Sequence, residues 1–142
     1  MKERVNHAIE LFDQGFACSQ SVLGAFCDQY GLDQNTALKI ANGFGGGIAR
    51  KQEVCGAVSG AVMTIGLQYG KKDASDSESH ERTYQAVQCF CDEFTKRNNS
   101  ILCSELLGCD MPTARERGLF HTSCRMYVQD AAEIVEELLN EG

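Results

Sequence analysis

Tryptophan is absent from this 142-residue chain and proline occurs once, at Pro112. With so little proline, the commonest breaker of helix interiors is almost missing. Long apolar stretches are missing too. The longest, Ala57 to Leu67, is interrupted by Ser59 and Thr64 and falls short of the roughly 20 residues that cross a bilayer as a helix. Basic residues are in the minority, 13 Lys and Arg against 20 Asp and Glu for a formal net charge of -7, and they lie in short groups such as Lys71-Lys72 and Arg115/Arg117. Such a surface has no stripe that tracks phosphates, which argues against nucleic acid as a partner. The opening residues, MKERVNHAIELF, mix charged and apolar positions where a secretory signal would have a basic tip and an apolar block. These absences predict a cytoplasmic protein with no membrane insertion.

Several motifs are also lacking. No G-x-x-x-x-G-K-[ST] occurs, and Arg50-Lys51 follow a glycine run without the spacing of a phosphate loop. No Ser-His-Asp order or carboxylate pair supports hydrolytic chemistry. No C-x-x-C is present, so the chain carries neither the local hairpin of a zinc ribbon nor the close spacing of a ferredoxin-type cluster.

What is present is a cysteine excess: Cys18, Cys27, Cys55, Cys89, Cys91, Cys103, Cys109 and Cys124. In a reducing cytosol such an excess points to metal binding or redox chemistry ahead of a permanent disulfide framework. The length suits a single domain over 1–142 with a conventional apolar core.

Apolar residues recur at three- and four-residue spacing, which predicts an all-α bundle of about five main helices and two or three short ones. The first runs from about Lys2 to Asp13, stopped by Gly15, with Val5, Ala8, Ile9 and Phe12 on one face. The second runs from Cys18 to Gly31 and buries Val22, Leu23, Phe26, Cys27 and Tyr30. A short third follows Asp33, an N-cap residue, and stops at Asn42-Gly43. A glycine-rich loop precedes the central helix, Cys55 to Tyr69, where Gly56 and Gly60 share one face and allow close packing. Ser75-x-x-Glu78 offers a capping box for a long helix through Thr95, with Tyr84, Val87, Cys91 and Phe94 inward. A short helix over Ile101–Leu107, a loop around Gly108 and Pro112, and a last helix over Ser123–Leu139 complete the chain.

The helix ends divide the thiols. Cys18, Cys55, Cys103 and Cys124 each fall in or beside a first helical turn, where unpaired N–H groups and the helix dipole favour a thiolate. They are the candidate catalytic residues and equally the candidate metal ligands. They stand 37, 48 and 21 residues apart, so only the fold can assemble them. Cys55 is the expected low-pKa thiolate, with Cys124 or Cys103 as its resolving partner. Cys27 and Cys91 lie in apolar stripes as core residues, Cys89 points to the opposite side of its helix, and Cys109 is a loop spectator. His7 and His80 are expected at the surface. His121, three residues before Cys124, is expected there too, although its spacing would also suit the site.

Four glycines are candidate cofactor-binding positions. Gly45, Gly46 and Gly47 can bring backbone N–H groups against a thiolate, a cluster sulfide or an anionic ligand, and Gly56 adjoins the Cys55 thiol. A tight helix-to-helix turn would use one or two such glycines without any ligand.

Cys18-Ser19-Gln20-Ser21-Val22, Gly43-Phe44-Gly45-Gly46-Gly47, Val54-Cys55-Gly56-Ala57-x-x-Gly60, Cys103-x-Glu105-Leu106-Leu107-Gly108 and Cys124 before Val128-x-x-Ala131-Ala132 together resemble the C_GCAxxG_C_C family of redox-active proteins. The resemblance spans nearly the whole chain, with Cys55 and Gly56 in the reverse of the order that the family's name gives. It implies that the four family cysteines fall on Cys18, Cys55, Cys103 and Cys124, and that the protein works beside a transporter, since such proteins are often encoded near transporter genes.

Together these readings predict a thiol redox protein that acts on an unidentified redox partner by reversible disulfide formation or through a metal centre. The alternatives are a non-catalytic module holding an iron-sulfur cluster or zinc on the same four cysteines, and an accessory interaction protein for a transporter.

Overall fold

The computed structural model describes residues 2–141, and its regular structure is helical, as the apolar spacing predicts. Eight right-handed helices are formed among these residues: α1 (Lys2–Gln14), α2 (Cys18–Phe26), α3 (Gln34–Ala41), α4 (Gly56–Tyr69), α5 (Ser77–Asn98), α6 (Cys103–Leu107), α7 (Met111–Glu116) and α8 (Ser123–Glu141).

Local chemistry accounts for most boundaries. The Asp33 carboxylate accepts the Thr36 N–H at 3.1 Å and opens α3 as its N-cap. The α2 stripe does not continue as one helix to Gly31. It tightens at Cys27 into a 3-10 turn, Cys27–Tyr30, which Gly31 closes. The cap of α5 is Asp76, one residue beyond the expected Ser75. Its carboxylate accepts the Ser79 N–H at 3.0 Å, an option that a charged oxygen fills better than a hydroxyl. The expected loop around Pro112 contains α7, because Asp110 caps it through the Thr113 N–H and proline in a first turn sacrifices no helical bond.

Helix α2 lies at the centre, packed against α1, α3, α4 and α8, while α4 also contacts α5 and α8. The main core joins Val22 and Phe26 of α2, Val58 and Ile65 of α4, and Val128 and Val135 of α8. Full burial contributes about 1.5–3 kcal/mol for each such side chain. On α5 the buried residues are Phe90 and Phe94, whereas Tyr84, expected inward, is 55% exposed and packs its ring at a tilt against His80. At about 100° per residue, Tyr84 lies about 80° around the helix from Phe94, while Phe90 and Val87 share its stripe. Helices α2 and α4 meet at Gly60, where an added Cβ would lie 2.7 Å from the Ser19 carbonyl oxygen. This is the close packing expected of the small residues in α4. None of the described helices is long and apolar enough to cross a membrane.

Between α3 and α4 the chain makes a turn of the opposite hand. Five consecutive residues, Gly46 to Arg50, have φ between 47° and 69°. Outside glycine this conformation costs about 1–2 kcal/mol per residue, and a β-branched residue such as Ile48 is among the least suited to it. Hydrogen bonds from Gln52 N–H to Gly46 O (3.1 Å) and from Glu53 N–H to Gly47 O (2.8 Å) hold the turn closed.

Candidate cysteine site

The four candidate thiols come from four different helix starts. Cys18 is the first residue of α2, Cys55 is the N-cap of α4, Cys103 is the first residue of α6, and Cys124 is the second residue of α8. The fold brings all four to the wall of one cavity of about 160 Å³.

Each placement has a local cause. Cys18 begins α2 because the Gln20 side chain accepts the Ala17 N–H at 2.9 Å, half of a capping box. Cys55 and Cys103 are tied together by a short antiparallel pairing around Val54 and Leu102. In it the Cys55 N–H donates to Ile101 O (2.8 Å) and the Cys103 N–H donates to Glu53 O (2.7 Å). Cys124 is held by its own N–H, which donates to Leu119 O at 3.0 Å.

The glycines serve the same cavity by close approach. Gly46, Gly47 and Gly56 line it, and Gly45 does not. Gly45 lies against Ala17 instead, where a Cβ would come within 2.7 Å of the alanine methyl. Gly47 carries the strongest requirement: its φ is +67°, and an added Cβ would stand 2.6 Å from Glu53 N and 2.8 Å from the Cys103 Cβ. Absence of a side chain at Gly47 thus lets the left-handed turn press against Cys103.

The cavity is otherwise apolar. Phe12, Leu106, Leu107, Met111, Phe120 and Tyr127 form its walls, and no charged side chain lines it among the described residues. Tyr127 turns its hydroxyl away to donate to Leu106 O at 3.0 Å, leaving the ring as wall.

Burial and thiol contacts set the proton affinities. Desolvation pushes Cys55 up to about 12, although the N–H groups of Ala57 and Val58 at the start of α4 pull the other way. The expectation of a low-pKa thiolate at Cys55 is therefore corrected. The helix-start effect is present, but removal of the charge from water outweighs it. Burial likewise raises Cys103 to about 11, with the Cys124 charge adding to the rise and the Gln52 side chain opposing it. Cys18 and Cys124 interact directly. The interaction of the two thiols raises Cys18, with burial adding to the rise, and lowers Cys124 against its own desolvation. Cys124 is thus the thiol readiest to ionise, with Cys18 as the protonated donor beside it.

The remaining cysteines divide largely as expected. Cys27 is fully buried, Cys91 is half-buried against the core, and Cys89 is exposed. Cys109, expected in a loop, is half-buried and packs with Cys103, Leu107 and Cys124 in a small satellite core. His121 is exposed. Gln52 was not legible as a site residue: its side chain donates to Cys109 O at 2.8 Å and also stabilises a Cys103 thiolate. Nothing in its sequence surroundings marks that role, which depends on the left-handed turn.

A single zinc ion would need three or more donors arranged around one point. Among the described residues no group of three His, Cys, Asp or Glu side chains has that arrangement. The four thiols share a cavity without forming a ligand set for a single ion.

No curated protein and no solved structure matches the chain. The family model described as "Putative redox-active protein (C_GCAxxG_C_C)" matches residues 16–138, a span that contains all four cavity cysteines. The chain belongs to the C_GCAxxG_C_C family.

Proposed function

We propose that this protein is a thiol redox protein in which Cys124 and Cys18 cycle between dithiol and disulfide. The observation that carries this reading is the placement of both thiols on the wall of one apolar cavity, where their interaction raises the proton affinity of one and lowers that of the other. A lowered thiol attacks as thiolate, and an adjacent thiol resolves the mixed disulfide that results. The electron acceptor is an external disulfide, reduced to two thiols as the protein pair is oxidised. Cys55 and Cys103 supply a second, neutral dithiol on the same cavity.

Among the described residues no three of these donors converge on a single-ion site, which favours the dithiol reading over zinc. An accessory role beside a transporter is compatible with the same chemistry and adds a partner to it.

The test is redox titration of the purified, reduced protein in thiol–disulfide buffers, with peptide mapping of the product and metal content measured on anaerobic samples. The expected product is a reversible Cys18–Cys124 disulfide that neither C18S nor C124S forms, while C89S forms it normally. A pair that stays reduced in every buffer, or stoichiometric metal released only on cysteine oxidation, overturns the reading.

A further inference from the structure

The shape and lining of the cysteine cavity bear on what enters it. Its volume is about 160 Å³, close to that of engineered apolar cavities of about 150 Å³ that hold benzene, a molecule of about six heavy atoms. Its walls carry aromatic, aliphatic and thioether groups, with Met111 and Phe120 among them, and no charged side chain lines it among the described residues. The Tyr127 hydroxyl is already committed to Leu106 O. Apart from the thiols themselves, no lining side chain offers a free polar group to pair with a charged substrate, and burying a charge without such a partner is strongly unfavourable. The chain's formal charge of -7 further disfavours an anionic substrate.

Oxidised glutathione and charged peptide disulfides suit this cavity poorly, being larger than its volume and carrying charges that its lining does not pair. A small uncharged disulfide fits both, and its soft sulfur atoms suit a wall containing a thioether and aromatic rings.

We propose that the electron acceptor of the Cys18/Cys124 pair is a small, uncharged dialkyl disulfide of about six heavy atoms, bound within this cavity. The proposal rests on the redox reading above and names the substrate class. The Cys124 thiolate attacks one sulfur of R–S–S–R′, forming a Cys124–S–S–R mixed disulfide and expelling R′S⁻. Cys18 loses its proton and attacks the Cys124 sulfur, closing the Cys18–Cys124 disulfide and expelling RS⁻. The two thiol protons of the protein pair end on the two leaving thiolates. The protein gives up two electrons and the substrate becomes two thiols.

Stopped-flow oxidation of the reduced protein tests this, with diethyl disulfide compared with oxidised glutathione and each rate divided by that of a free small thiol with the same reagent. The expected result is a normalised preference for diethyl disulfide of about tenfold or more, the range over which apolar pockets discriminate. Diethyl sulfide, which cannot react, slows the diethyl disulfide reaction competitively. In M111W, which fills the cavity, the preference falls toward unity. If M111W does not fold, competition by the thioether on the unaltered protein carries the same test. A Cys18–Cys124 disulfide that forms without preference for diethyl disulfide, and without competition by the thioether, overturns the substrate class and leaves the redox reading standing. Failure of every oxidant to form that disulfide overturns both.

Discussion

Gly47 and Cys103 are packed so closely that a methyl group on the glycine would stand 2.8 Å from the cysteine Cβ. The left-handed turn and the start of α6 meet there, and the same contact sets one wall of the cysteine cavity. Strained backbone persists only where surrounding contacts over-determine it, and here those contacts converge on a thiol.

Gly47→Ala is therefore expected to destabilise the protein by at least about 2 kcal/mol, since its new Cβ meets backbone that cannot move aside and its φ is left-handed. Gly31→Ala provides the contrast: φ is +76° but nothing lies within 4 Å, so only the left-handed cost of about 1–2 kcal/mol remains. Urea unfolding of both variants under reducing conditions measures the difference.

Iodoacetamide labelling followed by peptide mapping is expected to modify Cys124 first among the four cavity thiols, with a midpoint below the usual thiol value of 9.0. Cys55 and Cys103, raised to about 12 and about 11, are expected to stay unlabelled at pH 8 in the folded protein. Cys18→Ala removes the partner thiol that favours the Cys124 thiolate and moves the Cys124 midpoint upward. An unchanged midpoint in that variant contradicts the assignment of Cys18 as donor.

Alkaline pH is expected to unfold the reduced protein. Cys55 holds its proton more tightly when folded than when unfolded, so its stabilising contribution is complete below pH 9.0 and is lost as pH climbs toward about 12. Cys103 acts in the same direction between 9.0 and about 11, while Cys124 has the opposite sign. The urea midpoint should fall over this window, and Cys55→Ala should flatten the fall even though its starting stability is lower.

Gln52→Ala is expected to raise the Cys103 midpoint further, because it removes the one contact that favours the thiolate there. Loss of its 2.8 Å bond to Cys109 O should also cost about 1 kcal/mol. Cys103 labelling against pH, with unfolding measured alongside, separates the two effects.

Much of this was legible in the chain. Helix starts near Cys18, Cys103 and Cys124 followed from apolar spacing, although α6 begins at Cys103 where Ile101 was expected, and Asp33 followed from its capping chemistry. The misassignments are local. Asp76 displaced Ser75 as a cap, Phe90 displaced Tyr84 as core, and α7 replaced a loop, each a local detail within a segment whose helical character or boundary was only roughly placed by apolar spacing. The Val54–Leu102 pairing and the Gln52 contacts join segments far apart in sequence, and no local signal marks them.

Proton affinity shows the division most clearly. The amino-acid sequence by itself determined which thiols stand at helix starts, because capping and periodicity are local interactions within a few residues. Only the tertiary structure decided which of them ionises. Cys55 has the helix-start amides but is sealed from water by the core, whereas Cys124 is lowered by a partner thiol from another helix. Desolvation and contacts between distant segments depend on how whole helices pack, so they exist only once the chain has folded.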